Sequence, residues 1–157
     1  MIADANELVG RRDGSDFQNL HRNKRAITLN LKTDEGREIL MRLAEQADVI
    51  VENMRPGVTK RLGVDFESVR KCNPRIVYGS ISGFGQYGPL RPRPSIDQIA
   101  QGMSGIMSVT GIPGQGPVRV GVAVTDIMAG AFLAQGIPDR AARPRSFRVK
   151  AAGCRPR

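Results

Sequence analysis

The chain has 157 residues, 40% of them hydrophobic and only 4% aromatic, with no tryptophan and a formal net charge of +9. That length suffices for one domain with its own core. No apolar run reaches the roughly 20 residues of a membrane span, and the opening MIADANELVGRRDG lacks a signal-peptide segment. Cys72 and Cys154 are too few and too scattered for a disulfide framework, and with a single His no metal site is expected. The expectation is a reduced, cytoplasmic protein. Residues 137–157 alone carry +6 of the charge, so the basic balance describes an Arg/Pro-rich tail and not a binding face. Neither nucleic acid nor a membrane is an expected partner.

Residues 1–21 form a polar segment with no sustained period. Ala26 to Leu31 alternates with β-branched character and predicts a strand. Thr33 is placed to cap a helix whose first turn holds Asp34 and Glu35 and whose stripe is Ile39, Leu40, Leu43 and Ala47. Asp48 to Glu52 is a short apolar run of the kind seen in a parallel strand buried on both faces. After the turn Asn53–Gly57, a short helix over Val58 to Leu62 ends at Gly63. A second helix, capped by Asp65, stops at Asn73-Pro74. Arg75 to Ser82 is the next strand. The series predicts an α/β fold, a Rossmann-like open parallel sheet with flanking helices and right-handed crossovers.

Gly83, Gly85 and Gly88 match G-x-G-x-x-G directly after that strand. A dinucleotide fingerprint would open a helix there, but Pro89, Pro92 and Pro94 follow, so the NAD reading is rejected. The glycines read as a flexible loop near a ligand. A helix starting at Ser95 or Asp97 runs through Ile99, Met103 and Ile106, and a turn-rich stretch follows. Val118, Val120, Val122 and Val124 then recur at the period of a strand, and Ile127, Met128, Ala131 and Phe132 at helical spacing, with Thr125 offering a cap. Asp126 falls at this strand-to-helix junction, where a carboxylate can serve as a nucleophile. An Asp in a first helical turn can equally do no more than complement the dipole. Position does not decide between them. Pro138 is expected to interrupt the helix, leaving 22–136 as the folded core and 137–157 as a tail, disordered or out of frame.

The segments RNKRAITLNLKTDEGREIL, ADVIVENMRPGVTKRLGVDFESV, NPRIVYGSISGFGQYGP, DQIAQGMSGIMSVTG and PVRVGVAVTDIMAG follow one another between Arg22 and Gly136. In residues, order and spacing they resemble the class III CoA-transferases, the CaiB/BaiF family that includes formyl-CoA transferase and the α-methylacyl-CoA racemases. The resemblance implies that Asp126, closing a G-x-x-x-x-D segment from Gly121, attacks an acyl-CoA thioester to form an acyl anhydride. CoA thiolate then converts the anhydride to an aspartyl-CoA thioester, and an acceptor carboxylic acid completes the exchange. Coenzyme A, as acyl-CoA substrate, is the implied cofactor. By the same resemblance Asn53 and Met54, Arg61 and Leu62, and Lys24 with Arg25 match CoA-binding positions. A diphosphate and a 3′-phosphate need such cations, although each is also readable as a solvated surface charge. Gly83, Gly85, Ile96, Asp97 and Gln101 are implied pocket residues.

Two departures qualify the resemblance. The racemases carry His where this chain has Ile96, which cannot move a proton, so racemase chemistry is disfavoured. Family members are interlocked homodimers with further segments before and after this region, so an incomplete version of that fold is expected. The alternative is a truncated, catalytically inactive member that binds CoA or a partner subunit only.

Overall fold

The structure is a computed structural model and describes residues 20–141 and 147–150. The expected polar segment therefore lies almost wholly outside the described residues, as do 142–146 and 151–157 of the basic tail. Helix α1 (Asp34–Gln46) begins as its sequence dictates: the Gly36 N–H donates to Thr33 Oγ1 at 3.2 Å, with Asp34 and Glu35 in the first turn. Strand β1 (Val49–Glu52) is followed by α2 (Val58–Leu62), α3 (Phe66–Cys72) and strand β2 (Val77–Ser82). Then come α4 (Asp97–Ser104), a 3-10 turn at Ile106–Val109, the long helix α5 (Val124–Ala141) and strand β3 (Phe147–Lys150). The sheet runs β1-β2-β3 with both pairings parallel, Val49 opposite Val77 and Gly79 opposite Phe147. The result is the expected mixed α/β fold, a small parallel sheet with flanking helices.

Strand β2 is central, and the core gathers on it. Ala44 of α1, Val69 of α3, Ile76 and Tyr78 form the buried cluster, with Met41, Ala47, Ile50, Phe66 and Cys72 packed against it. On the other face a Cβ at Gly79 would lie 2.9 Å from Leu133 Cδ1, so the missing side chain is what lets α5 approach the strand. Asn73, just past α3, sends its amide across to α1. It donates to the carbonyls of Ala44 at 2.9 Å, which also accepts the Ala47 N–H at 3.3 Å, and of Ala47 at 2.8 Å, tying down that helix end.

Three expectations about elements need correction. Ala26 to Leu31 is not a strand, because alternation favours extended backbone but a ladder needs a neighbour, and no described residue pairs with it. Ile27 is left 64% exposed. Val118 to Val124 is not a strand either: 118–120 is unladdered for a reason given below, 121–122 is a bend, and Val124 already belongs to α5. The helix containing Asp126 does not stop at Pro138 but runs one turn further, to Ala141. Proline removes one bond to the preceding turn, and so close to a helix end that loss leaves the last turn intact. Four residues of the basic tail, Phe147–Lys150, form β3.

Replacing Asn73 with Ala removes a side-chain donor from the Ala44 and Ala47 carbonyls at the end of α1. We expect a loss of about 1–2 kcal/mol, read as a lowered urea midpoint with an unchanged slope.

Candidate functional site

The first turn of α5 is built by residues distant in sequence. The Ile127 N–H donates to the Ala123 carbonyl at 3.0 Å, which puts Ala123 at the N-cap with no side chain to cap. Thr125 lies inside the helix, so its expected capping role is corrected. The cap is Asp97, at the start of α4. Its Oδ1 accepts the Thr125 N–H at 2.9 Å and the Thr125 hydroxyl at 2.7 Å, and the Asp126 N–H faces the same carboxylate. The Thr125 hydroxyl also lies 3.3 Å from the Asp97 carbonyl.

Gln101, one turn along α4 and fully buried, completes the arrangement. Its Nε2 donates to Asp97 Oδ2 at 2.7 Å and to the Val122 carbonyl at 3.2 Å, while its Oε1 accepts the Val120 N–H at 2.9 Å. The valine segment thus bonds to one side-chain amide instead of a neighbouring strand, which is why its alternation does not become a ladder. Arg119, on the same segment, sets its guanidinium 3.6 Å from Asp97 Oδ2. Sequence reasoning assigned Arg119 no role. Its only signal was a cation interrupting an otherwise apolar alternation.

This geometry separates the two carboxylates. Asp97 is 6% exposed. Burial by itself would raise its carboxyl, but the Thr125 hydroxyl, the Thr125 N–H, the Gln101 amide and the Asp126 N–H outweigh it and hold Asp97 below the usual carboxylate range. Asp126 is exposed, and its carboxylate makes no hydrogen bond among the described residues. Desolvation of its surroundings, followed by the negative charge of Asp97, pushes its carboxyl up. Asp126 therefore does not cap its own helix.

A second feature lies at the carboxyl ends of β1 and β2, where open α/β sheets bind ligands. A cavity of about 280 Å3 is lined there by, among others, Glu52, Tyr78, Ser80, Gln86 and Lys60. Glu52 accepts the Met54 N–H at 2.7 Å and the Ser80 hydroxyl, and Gln86 donates to Ser80 Oγ at 3.0 Å. Tyr78 donates its hydroxyl to the Val64 carbonyl at 2.9 Å, and burial, with the charge of Glu52, pushes that hydroxyl up to about 12. Arg55, Lys60 and Arg91 on the rim make no ion pair among the described residues. The cavity draws on five separate segments, and no sequence spacing marks it.

The predicted site residues fall into groups. Asp126, Asp97 and Gln101 come together at the α4–α5 junction, with the polar atoms of Asp97 and Gln101 engaged by residues 120–126. Exposed Ile96 precedes them, and Gly83 packs against Ser95, where a Cβ would lie 2.0 Å from Ser95 Cβ. Gly85 is buried at φ 82° in the turn that brings Gln86 to Ser80. Asn53 and Met54, and Arg61 and Leu62, flank the segments lining the cavity without lining it. Lys24 bonds back to Leu20 and His21 in its own segment, and Arg25 is exposed. Asp126 is not a lining residue of the cavity.

The sequence model of CoA-transferase family III matches residues 4–142. The chain belongs to that family. It is 48% identical over 122 residues to the acetyl-CoA:oxalate CoA-transferase of Acetobacter aceti, covering 77% of this chain and 31% of that one. It is 45% identical over 117 residues to the succinate–glutarate CoA-transferase of Agrobacterium fabrum, covering 74% and 29%. A CaiB/BaiF family protein from Brucella suis superposes with a TM-score of 0.75 at 40% identity, over 80% of this chain and 34% of that one. The chain thus spans under a third of the length of these curated relatives. No helix among the described residues of this family III chain is long and apolar enough to cross a membrane.

A carboxyl held below its unfolded value stabilises the fold above that value and loses the contribution as pH falls through the folded one. Asp97→Asn should therefore cost most at neutral pH, and the gap to wild type should narrow below about pH 4. Urea unfolding between pH 7 and pH 3 measures it.

Proposed function

We propose that the chain carries the acyl-accepting carboxylate of a class III CoA-transferase, Asp126, which takes part in moving CoA from an acyl-CoA donor to a carboxylic acid. The observation carrying this reading is that Asp126 sits in the first turn of α5 yet leaves the capping of that helix to Asp97. With those N–H groups bonded to Asp97, neither Asp126 oxygen is taken up by the start of its own helix. An Asp126 oxygen attacks the thioester carbonyl carbon of the donor, the C–S bond breaks, and CoA leaves as thiolate with an aspartyl anhydride behind it. The thiolate then attacks the aspartyl carbonyl of that anhydride, expelling the donor's carboxylate and forming aspartyl-CoA thioester. The acceptor carboxylate repeats the two steps in reverse, leaving as the new acyl-CoA and returning Asp126 to a free carboxylate. Each covalent stage divides one acyl transfer into two lower barriers.

Coenzyme A is the implied ligand. Asn53 and Met54 on the turn after β1, and Arg61 and Leu62 on α2, are proposed to hold its adenine and phosphate end, with Lys24 and Arg25 as further cations. Ile96, Gly83 and Gly85 are proposed to border the acyl pocket. Relatives are named for oxalate, succinate and glutarate, so dicarboxylic acids are the first acceptors to test. A homodimer is proposed as the working assembly, supported by exposed Ile99 and Met103 on α4 and Ile127, Met128 and Phe132 on α5.

One observation favours a second reading, CoA or partner binding without turnover: Asp126 lines no part of the cavity at the strand ends. A single experiment separates them. The chain is incubated with acetyl-CoA or succinyl-CoA, trapped with hydroxylamine and digested for mass spectrometry. A hydroxamate on Asp126, absent in Asp126→Asn, is the expected result. CoA binding with no modified Asp126 would instead establish the second reading.

A further inference from the structure

We propose that Asp97 is a positioning residue for Asp126: by capping α5 from outside the helix, it leaves the Asp126 carboxylate free of any backbone bond. The inference rests on the reading of Asp126 as the acyl-accepting group. The first N–H groups of a helix lack partners within it, and a side chain in the first turn ordinarily turns back to satisfy them. Asp126 is the third residue of α5, well placed to do so, and it does not. Asp97 Oδ1 has taken the Thr125 N–H at 2.9 Å, and the Asp126 N–H faces the same carboxylate.

The carboxylate of Asp97 is itself fixed from three directions. Oδ1 receives the Thr125 hydroxyl at 2.7 Å, and Oδ2 receives the Gln101 amide at 2.7 Å with the Arg119 guanidinium 3.6 Å away. Gln101 holds the backbone of Val120 and Val122 with the same side chain, so α4, the valine segment and the start of α5 are tied at one point. The charged groups facing this junction among the described residues are Asp97 from α4, Arg119 from the valine segment and Asp126 itself. Desolvation and, after it, the fixed negative charge of Asp97 raise the Asp126 carboxyl, which makes its oxygen more basic once ionised. Arg119 brings the opposite charge to 3.6 Å from Asp97 Oδ2. Two substitutions therefore act with opposite sign, which a role confined to holding the fold does not predict.

The test is a 13C carboxyl NMR titration of Asp126 in wild type, Asp97→Asn and Arg119→Met. Asparagine keeps an oxygen for the α5 N–H groups and removes the charge, while Arg119 is half exposed and its replacement is compatible with folding. In Asp97→Asn the Asp126 midpoint should fall toward the ordinary carboxylate range, and in Arg119→Met it should rise. A midpoint unmoved in both variants, or moved the same way in both, overturns the proposal. Hydroxylamine trapping after acetyl-CoA, run on the same proteins across pH, separates this from the parent reading. Wild-type Asp126 that takes no label removes the nucleophile. Labelled Asp126 whose rate is unchanged in Asp97→Ala removes the positioning role alone, since the expected loss is about tenfold or more.

Discussion

A buried carboxylate reaching from one helix to the open end of another is the contact on which the site depends. Asp97 is held low inside the protein by a hydroxyl, an amide and backbone N–H groups, and these partners come from separate parts of the junction. The Thr125 and Asp126 N–H groups begin α5, the Gln101 amide anchors the valine segment, and Arg119 supplies the balancing cation. Remove the acceptor and the helix start, the extended segment and the cation lose their common partner together. Buried polar networks of this kind are costly when incomplete and specific when complete.

The same contact gives two neighbouring carboxylates opposite characters. Asp97 is hydrogen-bonded on both oxygens and held low; Asp126 is exposed, unbonded and pushed up. One polar network thus gives two chemically identical groups opposite environments. The parallel sheet contributes by fixing where α5 lies, with Gly79 allowing Leu133 to seat closely on the central strand. The cavity at the ends of β1 and β2 is a separate feature, sharing the sheet but not the Asp126 carboxylate.

Much of the fold was legible because its signals are local. Thr33 with Asp34 and Glu35 starts α1, Gly63 at φ 70° ends α2, and the apolar run before Glu52 becomes β1, although Val51 stays half exposed where burial on both faces was expected. The failures share a cause. Alternation in Ala26 to Leu31 and in Val118 to Val124 specifies an extended chain but carries no information about a partner strand. Thr125 looked like a cap because a suitable hydroxyl stood beside a helical pattern, whereas the true capping oxygen comes from 28 residues upstream. Strand β3 was missed although Phe147 and Val149 alternate with Arg148 and Lys150, because the surrounding Arg and Pro content pointed to a tail. Asp97 and Gln101 were singled out through family resemblance as pocket residues; that their polar atoms bond to the segment leading into α5 required coordinates.

Amide hydrogen exchange at Thr125 and Asp126 tests the central contact most directly. First-turn amides of a helix ordinarily exchange freely, since they lack partners within it. If Asp97 caps α5, both amides are protected at neutral pH and lose that protection in Asp97→Ala. Exchange at the unprotected rate in wild type, or protection that survives the substitution, would contradict the account.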